Sequence, residues 1–133
     1  MYLHLPSMNN PLIYKRTDHI NICVPVERLE EARLFYINVM GLEQKERPEV
    51  FDVPGHWFTW ADIELHIGVE PVSPRSARHT AFEVTDIAAS RSWLEQNGIK
   101  LYEEPLIPDR ARFTFYDPFG NRLELLEYID KPY

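Results

Sequence analysis

Two stretches of the chain share one pattern of apolar and polar positions. In DHINICV (18–24), Ile20, Ile22 and Val24 fall at every second position. That is the period of a strand with one packed and one open face. RHTAFEV (78–84) repeats it with Phe82 and Val84. Strands are therefore predicted at about 18–25 and 78–85. The period then changes. Leu29, Ala32, Tyr36, Val39 and Met40 are spaced by threes and fours and predict a helix over about 27–40. A second helix is predicted over about 87–97, with Asp86 as its N-cap. Gly41 and Gly98 end the two helices, where a residue with positive φ is needed. Three short strands follow each helix. The final pair is joined by DPFGN (117–121), whose Pro and Gly are turn residues.

The two stretches belong to an internal repeat. His79 lies 60 residues after His19, and Glu124 lies 60 after Glu64, so histidine and glutamate are 45 residues apart in both halves. FYINVMGL and SWLEQNGI align at an offset of 57, WFTW and RFTF at 55. The order is βαβββ twice. This predicts a single α+β domain of two tandem modules, about 17–70 and 77–129, with an N-terminal extension over 1–16. The strands are expected to form a cupped mixed sheet, its helices on the outer face.

Facing follows from the period. If Ile20, Ile22 and Val24 are packed, His19, Asn21 and Cys23 point the other way. The same rule puts His79 opposite Phe82, Glu64 and His66 opposite Leu65, and Glu124 opposite Leu125. One histidine or glutamate on a strand is ordinarily a solvated surface residue. Two of each, at matched spacing on matched faces, suit a divalent-metal site.

Composition narrows the classes. The chain has 133 residues, 44% of them hydrophobic and 26% charged, as in soluble globular domains. A net charge of −7 with no basic stripe argues against nucleic-acid binding. No apolar run is long enough to span a bilayer, and the N-terminus lacks a signal-peptide pattern, so a cytoplasmic protein without membrane contact is expected. Cys23 is the single cysteine and reads as a small strand residue.

HINICV, ARLFYINVMGL, RHTAFEV and above all FYDPFGNRLELLE resemble the vicinal oxygen chelate superfamily, also called the glyoxalase/bleomycin resistance/dioxygenase superfamily, over about residues 17–129. The resemblance implies a cupped sheet around one divalent metal per site (Zn, Ni, Fe or Mn). It implies His19, His79 and Glu124 as ligands, with Glu64 or His66 as the fourth. It implies Lewis-acid chemistry on a small carbonyl or oxygen-chelating substrate, with an enolate stabilised by the metal and proton transfer by Glu124 and Glu64. A lyase or isomerase of the glyoxalase I kind is the leading expectation. An extradiol-type dioxygenase and a metal-free antibiotic-binding protein are the alternatives. A fosfomycin-type thiol transferase is set aside, because no arginine after the last strand matches its phosphonate ligand. A homodimer is implied, and His19 and His79 meet either within one chain or across two. His66, Trp57, Trp60 and Arg112 are candidates for substrate contact. Arg110 reads as a solvated edge charge, His56 as an exposed turn residue and His4 as uninvolved.

Overall fold

A computed structural model describes residues 10–71 and 75–129. His4 and most of the N-terminal extension lie outside the described residues. Among the described residues, eight strands form two four-stranded sheets. The first holds β1 (His19–Val24), β2 (Glu43–Lys45), β3 (His56–Trp60) and β4 (Ile63–Val69), in the order β1-β4-β3-β2. The second holds β5 (His79–Glu83), β6 (Tyr102–Glu103), β7 (Arg110–Tyr116) and β8 (Arg122–Tyr128), in the order β5-β8-β7-β6. Each sheet is mixed: its first strand runs parallel to its last, and the other pairs are antiparallel.

The crossovers carry α1 (Leu29–Asn38), entered through a 3-10 turn at Val26–Arg28, and α2 (Ile87–Gln96). Helix α1 buries Ala32, Phe35 and Tyr36. Gly41 and Gly98 take φ of 75° and 77°, as the ends of the two helices require. Asp86 caps α2 by accepting from the Ala89 N–H at 2.9 Å. Asp86→Ala should therefore cost about 1 kcal/mol, readable in urea denaturation.

Val24, Leu65, Ile67, Leu123 and Leu125 are buried on the packed faces as the alternation requires, and Phe58, Phe113 and Phe115 are buried with them. The open faces differ from each other. His19 and His79 are exposed, whereas Glu124 is only 6% exposed. The strands do not form one continuous sheet. β1 and β5 are both edge strands, and they line grooves together without a ladder between them.

The turn at 117–121 ties the modules to each other. The Tyr36 hydroxyl of α1 donates to Asp117 Oδ2 at 2.6 Å. Asn121 Nδ2 donates to the same oxygen and to the Cys23 carbonyl of β1. Arg28 reaches the Pro118 carbonyl and lies over the Phe119 ring. Burial pushes the Asp117 carboxyl above its ordinary range, and burial beside Asp117 holds the Tyr36 phenol neutral. Trp60 stacks on Phe82 at 4.0 Å, a second bridge between the modules.

The repeat is not exact. Phe58 faces Leu65 and Thr59 faces Glu64, just as Phe113 faces Leu125 and Thr114 faces Glu124. The parallel pairs, however, differ by two residues. His19 is in register with Glu64, whereas His79 is in register with Arg122, and Ala81 with Glu124. A slip of two keeps every side chain on its own face.

Candidate functional site

The open face of the first sheet gathers His19, Glu64, His66, Trp57 and Lys45. Neighbouring strands put His19 beside Glu64, and Trp57 beside His66. The His19 Nδ1–H donates to Asp18 Oδ2 at 2.8 Å, which leaves Nε2 as the free nitrogen. Arg16 steadies Asp18 through Oδ1. The Glu64 carboxylate accepts from Lys45 Nζ at Oε2 and from His66 Nε2 at Oε1. Those two donors hold its carboxyl below the usual carboxylate range, Lys45 contributing most.

The open face of the second sheet gathers His79, Glu124, Arg112, Arg122 and Thr114. The His79 Nδ1–H donates to the Ala77 carbonyl at 3.0 Å. Arg122 Nη1 lies 3.3 Å from the same nitrogen, and Nε2 stands 3.2 Å from Glu124 Oε1. Either a proton on Nε2 or a cation can bridge the two atoms at that distance. Bonds of about 2.0–2.2 Å to one metal place two ligand atoms about 3–3.5 Å apart, so the pair fits a shared divalent cation. Arg112 Nη1 stands 3.5 Å from the same oxygen, too far for a good hydrogen bond, while Nη2 donates to the Pro105 carbonyl. Arg122 bridges Glu104 and the Ala77 carbonyl.

The four expected ligands therefore come together as two pairs and not as one quartet. Among the described residues, no three His, Cys, Asp or Glu side chains converge closely enough to hold a metal ion.

Three expectations need correction. Trp60 lies on the packed face, 8% exposed, against Tyr36 and Phe82. The alternation along β3 sends it to the side opposite Trp57, away from the histidines. Trp57 lies on the open face, but its ring is stacked on His66 with Phe51 and Lys45 nearby, so it offers little free face for stacking. His56 is not in a turn. It is the first residue of β3, half-buried on the core side with Nδ1 3.2 Å from Gln44, and burial lowers its pKa. The turn ends one residue earlier at Gly55, where an added Cβ would sit 2.5 Å from the Ile67 carbonyl.

Asp18, Lys45 and Arg122 were not among the expected site residues. Arg122 had a signal, since it precedes Glu124 by two and must share its face. Asp18 adjoins His19 in sequence. Lys45 had none, because a three-residue strand shows no period.

The family model for the Glyoxalase/Bleomycin resistance protein/Dioxygenase superfamily matches residues 16–125. The chain belongs to this superfamily. Within the superfamily, the crystal structure of a protein assigned to the glyoxalase family from Bacillus anthracis is similar, with 37% identity and a TM-score of 0.82, covering 89% of this chain and 98% of that one. The fosfomycin resistance protein FosX from Listeria monocytogenes shares the fold at 18% identity and a TM-score of 0.74, covering 88% and 96%. A mutant of that FosX is known in complex with Mn(II) and 1S,2S-dihydroxypropylphosphonic acid. The Arabidopsis thaliana protein Glyoxylase I 4 is 24% identical over 130 residues, 87% of this chain and 72% of that protein. No helix among the described residues is long and apolar enough to cross a membrane.

Proposed function

We propose that the chain is a metal-dependent enzyme of the glyoxalase type, acting on a small carbonyl or oxygen-chelating substrate. Its site is completed by a second copy: His19 and Glu64 of one protomer face His79 and Glu124 of its partner. The observation that carries this reading is the His79 Nε2–Glu124 Oε1 pair, a ligand-type nitrogen and a carboxylate oxygen 3.2 Å apart on an open sheet face. One pair per module is too few for a metal centre, and two pairs from two copies supply four protein ligands. A bound divalent cation would supply Lewis acidity to the substrate oxygens.

The chain's own residues have separable tasks. Asp18 and the Ala77 carbonyl hold the two imidazoles with Nε2 free. Lys45 and His66 hold Glu64 charged, which suits a ligand more than a proton acceptor. Glu124 meets His79 and, more loosely, Arg112, with no lysine on it, and it is the group to move the proton beside the substrate carbonyl. Arg112 stands next to it as the contact for a substrate oxygen.

A mixing experiment tests the shared site. His19→Ala and Glu124→Ala should each bind little metal alone. After co-refolding, half of the mixed dimer's sites should recover tight binding, because one site then draws only on intact modules. Absence of recovery in a dimer that forms normally would sink the shared site.

One observation favours a second reading, a metal-free small-molecule-binding protein. Lys45 and Arg112 already stand beside the two carboxylates and offset their charge. The readings separate on heating. A metal enzyme should gain several degrees in Tm with added Ni, Zn, Mn or Fe, by the linkage of binding to stability, and a metal-free protein should gain none.

A further inference from the structure

We propose that His66 is a positioning residue that holds both ligands of the first module and is not itself a ligand. The inference rests on the metal reading above. The His66 ring is sandwiched: Trp57 lies 4.0 Å away at an interplanar angle of 2°, and His19 lies 4.0 Å away at 19°. Its side chain is only 13% exposed. Imidazole N–H groups and lone pairs lie in the ring plane, so a ring clamped on both faces can act only within that fixed plane.

One of those directions is already used. Nε2–H donates to Glu64 Oε1 at 2.9 Å, while Lys45 takes Oε2. Each carboxylate oxygen has two acceptor positions, so these contacts fix the rotation of Glu64 and leave acceptor capacity for a cation. His66 also acts on His19. Asp18 holds the edge of that imidazole and His66 covers one face, so the ring is fixed on two sides. His19, Glu64 and His66 adjoin, yet they do not form a three-ligand group. The geometry gives the third residue two tasks, a donor to Glu64 and a flat plate against His19.

The two roles are separable by substitution. His66→Gln keeps a donor toward Glu64 and loses the plate. His66→Phe keeps the plate between Trp57 and His19 and loses the donor. Co(II) titration of the purified, metal-depleted protein, followed by calorimetry and by visible absorption, reads both. Each variant should bind Co(II) about 10-fold more weakly, and His66→Ala about 100-fold, the range known for outer partners of metal ligands. The Co(II) absorption bands should keep the wild-type position in all three, because the set of atoms on the cation is unchanged. His19→Ala is the reference for a lost ligand and should shift or abolish the bands.

The proposal is overturned if a His66 variant shifts the bands as His19→Ala does, or if the Gln and Phe variants both bind as tightly as wild type. Wild-type protein that binds no Co(II) overturns the metal reading itself. Normal wild-type binding with shifted bands in His66→Phe overturns the positioning role alone. Circular dichroism of each metal-depleted variant separates these results from simple unfolding.

Discussion

Glu124→Gln should weaken divalent-cation binding by about 100-fold or more, while Arg110→Ala leaves it unchanged. The loss of an outer partner costs about 10–100-fold, and the loss of a carboxylate ligand must exceed that. The glutamine keeps the volume of Glu124 at a position only 6% exposed, so the packing of β8 is spared. What it removes is the charge opposite His79 Nε2. Arg110 is the proper comparison because it is engaged elsewhere, with Asp109 and over the Tyr128 ring. Calorimetric titration gives both constants, and elemental analysis of the purified proteins gives retention. Equal effects of the two substitutions would remove Glu124 from the cation.

The largest effect on stability should come from Asp117→Ala, with a loss of about 3 kcal/mol or more. Asp117 is 3% exposed and accepts from the Tyr36 hydroxyl, the Phe119 and Asn121 N–H groups and Asn121 Nδ2. Alanine would strand a fully buried hydroxyl and leave the turn without its central acceptor, at about 1–3 kcal/mol per abandoned buried group. Asp117→Asn isolates the charge. The native carboxyl titrates above its unfolded range because it is buried. Its favourable contribution is therefore complete below the unfolded pKa and is lost as pH rises through the folded one. Measured against Asp117→Asn by denaturant titration, wild type should lose relative stability over that rise. A difference that does not change with pH would show that Asp117 does not titrate in the native protein.

Periodicity made much of this fold legible. Alternation placed His19, Glu64, His79 and Glu124 on open faces, and the glycine and aspartate signals marked the helix ends. It could not see the relative register of β5 and β8. A slip of two residues moves Glu124 from the side of His79 to the side of Ala81 without changing any facing. Nor could it divide the strands between two sheets, since ladder continuity depends on which edges meet. The Trp60 expectation failed for a simpler reason. Trp57 and Trp60 of WFTW are three apart on a strand and must diverge, so only one of them can share a face with the histidines. The equal spacing of histidine and glutamate in the two halves fixes one of each on the open face of each module, and spacing carries no information on how the two modules' open faces are combined.

The turn at 117–121 also sets a timetable. Tyr36 waits for Asp117, 81 residues later, and the Cys23 carbonyl waits for Asn121, 98 residues later. At ribosomal rates of about 5–20 residues per second, the first gap lasts roughly 4–16 s. All four strands of the first sheet have been synthesised by then, while the Tyr36 hydroxyl still lacks its acceptor. A translational pause before the last hairpin would extend the life of that half-built species. Surveillance by chaperones should be most needed there, and codon changes just upstream of Asp117 should alter yield more than the same changes near the start of the message.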